Sequence, residues 1–156
     1  MKTSERGIAL IKRHEGLRLG KYLCPAGRPT IGYGHLILPS ENLQTITESE
    51  AHTLLTRDLN IAEDAITKLI IRPLTQNEFD ALVSLVFNIG ANAFRSSTLL
   101  KYINDKNYCS PTYPTIKDAW LSWCHISGIK NEALLSRRQS EWSLYIFPPL
   151  AQKSPS

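Results

Sequence analysis

Long apolar runs are missing from this 156-residue chain. No stretch approaches the roughly 18 uninterrupted apolar residues of a membrane-crossing helix, so stable membrane insertion is not expected. Cysteine is scarce. Cys24, Cys109 and Cys124 are an odd number at long spacing, which fits neither a disulfide framework nor a paired-cysteine zinc site. His14, His52 and His125 have no partners at metal-ligand spacing, and neither a metal nor another cofactor is expected. After Met1 and Lys2 no apolar core forms before Arg13, His14 and Glu15 arrive. The segment therefore does not read as a signal peptide, and the protein is expected in the cytosol until something lets it out. Repeats and low-complexity tracts are absent. Excess charge of one sign is small: 18 Lys and Arg face 14 Asp and Glu, a net charge of +4. The bases are scattered rather than interleaved with aromatics, which speaks against a nucleic-acid partner.

What is present is a globular pattern in two styles. Ser4 caps a short first helix with Ile8, Ile11 and, less cleanly, Leu10 as its apolar positions, and Gly16 places Glu15 at or just beyond its end. From Leu17 to Ile37, glycines, prolines and the run Thr30-Ile31-Gly32-Tyr33-Gly34-His35 predict short strands and turns, the one β segment of the chain. Thr47 and Glu50 form a capping-box pattern ahead of a long helix that reaches towards Pro73. Thr75 and Glu78 form a second, opening a segment apolar on nearly all sides, the expected centre of a helical lobe. Shorter helices are expected around 98–105, 117–126 and 133–147. The prediction is an α+β fold: a small β-hairpin lobe joined by a long helix to an all-α lobe. Residues 1–147 form a single two-lobed domain, and residues 148–156 a flexible tail.

Two lobes make a cleft, where ligands usually sit. Glu15, then Cys24 nine residues on, then Thr30 six further, group an acid, a thiol and a hydroxyl around one hairpin. Such a set could protonate a leaving group and hold a water opposite it. Spacing alone does not select that role, because a glutamate at a helix end is usually just solvated.

The sequence of these residues resembles a known family. Glu15-Gly16-Leu17-Arg18-Leu19, Tyr22, Cys24 and Thr30-Ile31-Gly32-Tyr33-Gly34-His35-Leu36 are similar to the phage-type lysozymes, glycoside hydrolase family 24, which includes the T-even phage lysozyme and many endolysins. The family motif is Glu, eight residues, Asp or Cys, five residues, Thr, and Glu15, Cys24 and Thr30 fit it without a gap. Phe79-Asp80-Ala81-Leu82, Phe87-Asn88-Ile89-Gly90 and Arg137-Arg138 followed by Glu141 extend the likeness from about Ser4 to Phe147. The resemblance implies a lysozyme-like fold and a muramidase cleaving the β-1,4 bond between N-acetylmuramic acid and N-acetylglucosamine. It implies Glu15 as general acid and a water placed by Cys24 and Thr30. The implied partners are peptidoglycan glycan strands and, functionally, a holin. The implied enzyme is a monomer that waits in the host cytoplasm and then reaches the periplasm and wall. Cys24 stands where the family more often carries Asp. A thiol near its ordinary pKa of about 8.5 is mostly neutral and a poorer acceptor than a carboxylate, so thiolate base, nucleophile and water ligand all stay open.

Other residues have plainer readings. Asp58 occupies the place where the family's long helix carries an Asp paired with the histidine of the hairpin, so His35 and Asp58 are expected as a structural ion pair. Arg137 or Arg138 orienting Glu15 is balanced by a solvated basic turn. Trp120, Trp123 and Trp142 recur at helical spacing, favouring core packing over a sugar-binding face. Gly32 and Gly34 suit a close hairpin better than a nucleotide loop. Two rival classes are a cysteine peptidase or amidase, with Cys24 attacking and His35 as base, and a non-catalytic basic wall- or nucleic-acid-binding module.

Overall fold

The computed structural model describes residues 1–148, and the expected tail lies, but for its first residue, outside them. Helix α1 (Glu5–Glu15) begins where the Ser4 side chain accepts from the Gly7 N–H, and acidic Glu5 lies at its start with Lys12, Arg13 and His14 at its end. Both placements suit the helix dipole. Gly16, at φ 72°, ends it. Leu10 is buried beside Ile11 while Ile8 is half-buried, so the less regular of the three apolar positions faces the core.

Strands β1 (Arg18–Leu23), β2 (Pro29–Gly32) and β3 (His35–Leu36) form an antiparallel sheet in that order. The pairs Leu23↔Pro29, Tyr22↔Thr30 and Ile31↔His35 set its register, with an irregularity between Arg18 and Tyr22. Helix α2 (Glu48–Leu69) follows. Its cap is half the expected box: Thr47 accepts from the Glu50 N–H, but the Glu50 carboxylate takes the Thr47 hydroxyl instead of its backbone N–H. Thr75 and Glu78 close their box fully and open α3 (Gln76–Ile89). This helix lies against α1, α2 and α7 (Glu132–Tyr145), which explains an apolar surface on nearly all sides. Leu82, Leu85 and Phe79 are almost wholly buried, each worth about 1.5–3 kcal/mol of transfer free energy.

Three parts of the helical lobe depart from expectation. A short α4 (Ala91–Arg95) precedes α5 (Thr98–Asn104). Helix α6 (Ile116–Leu121) stops five residues early, because the chain turns into a second hairpin, β4 (His125–Ile126) and β5 (Ile129–Lys130). The first hairpin is therefore not the only β structure. Ser127 (φ 49°) and Gly128 (φ 78°) make the turn, and two left-handed residues in succession match the twist of a two-residue hairpin. Trp120 is fully buried, with Trp142 edge-on to it at 5.9 Å, while Trp123 is half-buried.

Candidate active site

Glu15 is the last residue of α1 and points into a cleft of about 740 Å³ bounded by the sheet lobe, α2 and the end of α3. Gly34 approaches it closely: a Cβ there would lie 3.3 Å from Glu15 Oε2, at a backbone φ of 82° that disfavours side chains. Arg137 Nη1 donates to Glu15 Oε1 at 2.5 Å. Of the two alternatives for Arg137 and Arg138, the solvated turn is excluded: both are buried, and Arg137 is the one that reaches Glu15.

His35 and Asp58 line the same cleft. His35 Nδ1 lies 2.7 Å from Asp58 Oδ2, and its Nε2 lies 2.8 Å from Glu41 Oε1. Burial pulls the His35 imidazole down, but hydrogen bonds to Glu41 and Asp58 together outweigh it and hold the pKa above its ordinary value. Glu41 is held below its own, first by the Leu38 N–H and then by His35, with Arg57 adding to it. With both ring nitrogens engaged, His35 has none left to deprotonate a thiol, which removes the base that a cysteine peptidase would need.

Cys24 and Thr30 stand together on the same hairpin, outside the lining of that cleft but beside it: Thr30 pairs across the sheet with Leu36, which lines it. Cys24 follows β1 at the turn, where its N–H donates to the Arg28 carbonyl and its carbonyl accepts from the Gly27 N–H. The Arg28 backbone N–H is the main influence that holds the thiol below its ordinary pKa, against the opposing effect of burial. The Ala26 N–H, the Thr30 hydroxyl and the Arg28 charge add to it. The thiol thus departs from the reference behaviour expected of it, with the backbone of the turn favouring its charged form. Thr30 is almost wholly buried on β2, and its hydroxyl donates to the Arg28 carbonyl at 2.9 Å, leaving its lone pairs to accept. No group of three or more potential ligands could hold a metal ion among the described residues.

Sequence reasoning missed Glu41 and the role of Glu141. Glu41 lies six residues beyond His35 in a turn, a spacing with no helical or strand period to mark it. Glu141 stood in the sequence as part of a pattern only. In the fold its carboxylate is fully buried and takes hydrogen bonds from Ser84, Trp120, Arg137 and Arg138.

Comparison with known proteins adds to this geometry. Residues 12–141 match the model of a family described as phage lysozyme. The endolysin of Salmonella phage P22 is 43% identical over 150 residues, covering 94% of this chain and 99% of that one. Among solved structures, the muramidase domain of SpmX from Asticaccaulis excentricus superposes with a TM-score of 0.82 at 38% identity, covering 94% of this chain and 99% of that one. P22 lysozyme superposes at 0.81 with 40% identity and the same coverage.

Proposed function

The chain belongs to the phage lysozyme family, and from that premise we propose that Glu15 is the general acid of a muramidase whose attacking water is placed by Cys24 and Thr30. The family makes the protein a glycoside hydrolase that lyses peptidoglycan, an endolysin. The observation that carries the assignment of Glu15 is its place on the cleft wall in the grip of buried Arg137.

The chemistry follows from the residues. A glycan strand lies along the cleft, and Glu15 delivers its proton to the bridging oxygen between N-acetylmuramic acid and N-acetylglucosamine. Charge then develops at the anomeric carbon, and a water on the opposite face of the sugar completes the displacement. Thr30 supplies an acceptor for that water, and the Cys24 sulfur, with its proton held more loosely than in a free thiol, supplies the second. His35, Asp58 and Glu41 tie the sheet lobe to the long helix and so keep the two walls of the cleft in register.

Glu15→Gln tests this reading. The amide is nearly isosteric yet has no acidic proton to give, so the variant should fold normally and release no new reducing ends from purified peptidoglycan. Retention of most of the activity would remove Glu15 from the role. New free amino groups in place of reducing ends would point to a peptidase, and binding without either product to a wall-binding module.

The same reading carries a setting in the cell. The enzyme is a monomer that waits in the host cytoplasm until a holin opens the membrane, after which it reaches the periplasm and the wall. Its appearance in the periplasm of intact, holin-free cells would contradict this order of events.

A further inference from the structure

We propose that Glu141 is a positioning residue for the hydrolysis, holding the Arg137 guanidinium in the orientation from which it meets Glu15. The proposal rests on the reading of Glu15 as the acid. Glu141 does not line the cleft and so acts only through Arg137.

The geometry that points to this is an acceptor for each of the three nitrogens of one guanidinium. Arg137 donates from Nη1 to Glu15 Oε1, from Nη2 to the Ser84 carbonyl at 3.2 Å, and from Nε to Glu141 Oε1 at 3.3 Å. Three fixed acceptors around a planar fork leave it a single orientation. Two of the three acceptors, Ser84 and Glu141, belong to the interior of the helical lobe, so that lobe aims the third bond at the acid. Glu141 is itself clamped: Arg138 Nη2 donates to Oε1 at 2.7 Å, the Ser84 hydroxyl to Oε1 at 2.8 Å, and Trp120 Nε1 to Oε2 at 3.2 Å. Glu141 and Arg138 are wholly buried, and Arg137 is 4% exposed.

Charge gives Glu141 a second influence. Two buried guanidiniums stand beside one buried carboxylate, and Glu15 is the next carboxylate that Arg137 can reach. A neutral side chain at position 141 would leave both cations opposed by Glu15 alone and favour its charged, proton-free form. Other charged or titratable groups near these residues are His14, whose buried Nε2 has no partner among the described residues, and Arg13 on α1, Cys124 beside Arg138, and His35, Glu41, Arg57 and Asp58 along the cleft. None of these is altered by a substitution at position 141.

The test is steady-state kinetics on a soluble peptidoglycan fragment across pH, with wild type, Glu141→Gln, Glu141→Asp and Glu15→Gln. Each variant is first checked for fold by circular dichroism and assayed below its unfolding transition. Glu141→Gln should lower kcat about tenfold with KM little changed, and should move the alkaline limb of the pH profile to lower pH. Glu141→Asp keeps the charge but shortens the reach. It should lower kcat several-fold and leave the limb in place. A purely structural Glu141 would lower the unfolding temperature and leave both kcat and the limb of the folded enzyme unchanged, and that result overturns the proposal. If the Gln variant does not fold, the Asp variant decides on kcat alone. Independently of any variant, the Arg137 Nε–H proton of the wild type should exchange slowly with solvent, and rapid exchange would overturn the proposal. Active Glu15→Gln would mark failure of the acid assignment. Inactive Glu15→Gln beside Glu141 variants of wild-type behaviour would mark failure of the positioning role alone.

Discussion

His35 Nε2 lies 2.8 Å from Glu41 Oε1, on the opposite side of the ring from Asp58, so one imidazole bridges two carboxylates at the mouth of the cleft. His35 is 6% exposed, and burial by itself would favour the neutral ring. The two carboxylates reverse that preference.

Stability should follow pH accordingly. His35 has a folded pKa above its ordinary 6.5, so its contribution is full below that value and is lost as pH rises through the folded pKa. Glu41 has a folded pKa below its ordinary 4.5, so its contribution is full above that value and is lost as pH falls through the folded pKa. The bridge is therefore strongest between the two ordinary values. Near about pH 5.5, Glu41→Gln should cost about 1–2 kcal/mol in urea unfolding, and Asp58→Asn a similar amount. The cost should shrink on the alkaline side. Equal unfolding midpoints for variants and wild type at mildly acid pH would show that the bridge contributes nothing.

Helix α1 is fixed at its start by another buried carboxylate. Asp80 accepts from the Ser4 N–H, the Ser4 hydroxyl and the Gln76 amide, and Gly7 passes directly over it. A Cβ at Gly7 would lie 2.7 Å from Asp80 Cγ. Helix propensity alone makes Gly→Ala favourable by about 1 kcal/mol, but here the clash wins. Gly7→Ala should destabilise by about 1–3 kcal/mol, whereas Gly20→Ala, with open space around it, should change stability little. Thermal unfolding of the two variants side by side settles the comparison.

Arg137→Lys keeps the charge but loses the planar fork. A single ammonium cannot meet Glu15, the Ser84 carbonyl and Glu141 in their present places. The variant should fold and lose about tenfold in kcat. Wild-type turnover by Arg137→Lys would mean that a positive charge near Glu15 is enough and orientation is not.

Much of the architecture could be read from local signals, because local rules decide it. The box at Thr75 and Glu78 and the all-round apolarity after it mark α3 as a central helix, and Gly16 marks the end of α1. The second hairpin was hidden. Its strands have two residues each, too short for a period of two to show, and only the Ser127-Gly128 pair between isoleucines hinted at a turn. At the candidate site, a spaced motif singled out Glu15, which lines the cleft, together with Cys24 and Thr30, whose part in the reaction is proposed. Glu141 could not be, since its role depends on Ser84 and Trp120, 57 and 21 residues away in the chain. Burial of a charge is a tertiary fact, and no local pattern announces it.

The lowered pKa of Cys24 sharpens the choice between its roles. If the sulfur places water beside Thr30, Cys24→Ser should retain activity within about tenfold, since a hydroxyl accepts and donates in much the same place. Cys24→Asp should do at least as well, because a carboxylate is the stronger acceptor. If the thiolate attacks the sugar, Cys24→Ser should fall by about a thousandfold or more, for a hydroxyl is a far weaker nucleophile and His35, with both ring nitrogens engaged, is not free to activate it. Alkylation of the thiol does not separate the two, as the added group blocks the site under either scheme. The product anomer does. A water held by Cys24 and Thr30 attacks once, from the face opposite the leaving group, and so inverts the configuration. A covalent intermediate requires two displacements and retains it. Inversion is the expected outcome, measured by proton NMR of the freshly released reducing end before mutarotation. A retained anomer together with an inactive Cys24→Ser variant would make Cys24 the nucleophile and reduce Thr30 to a bystander.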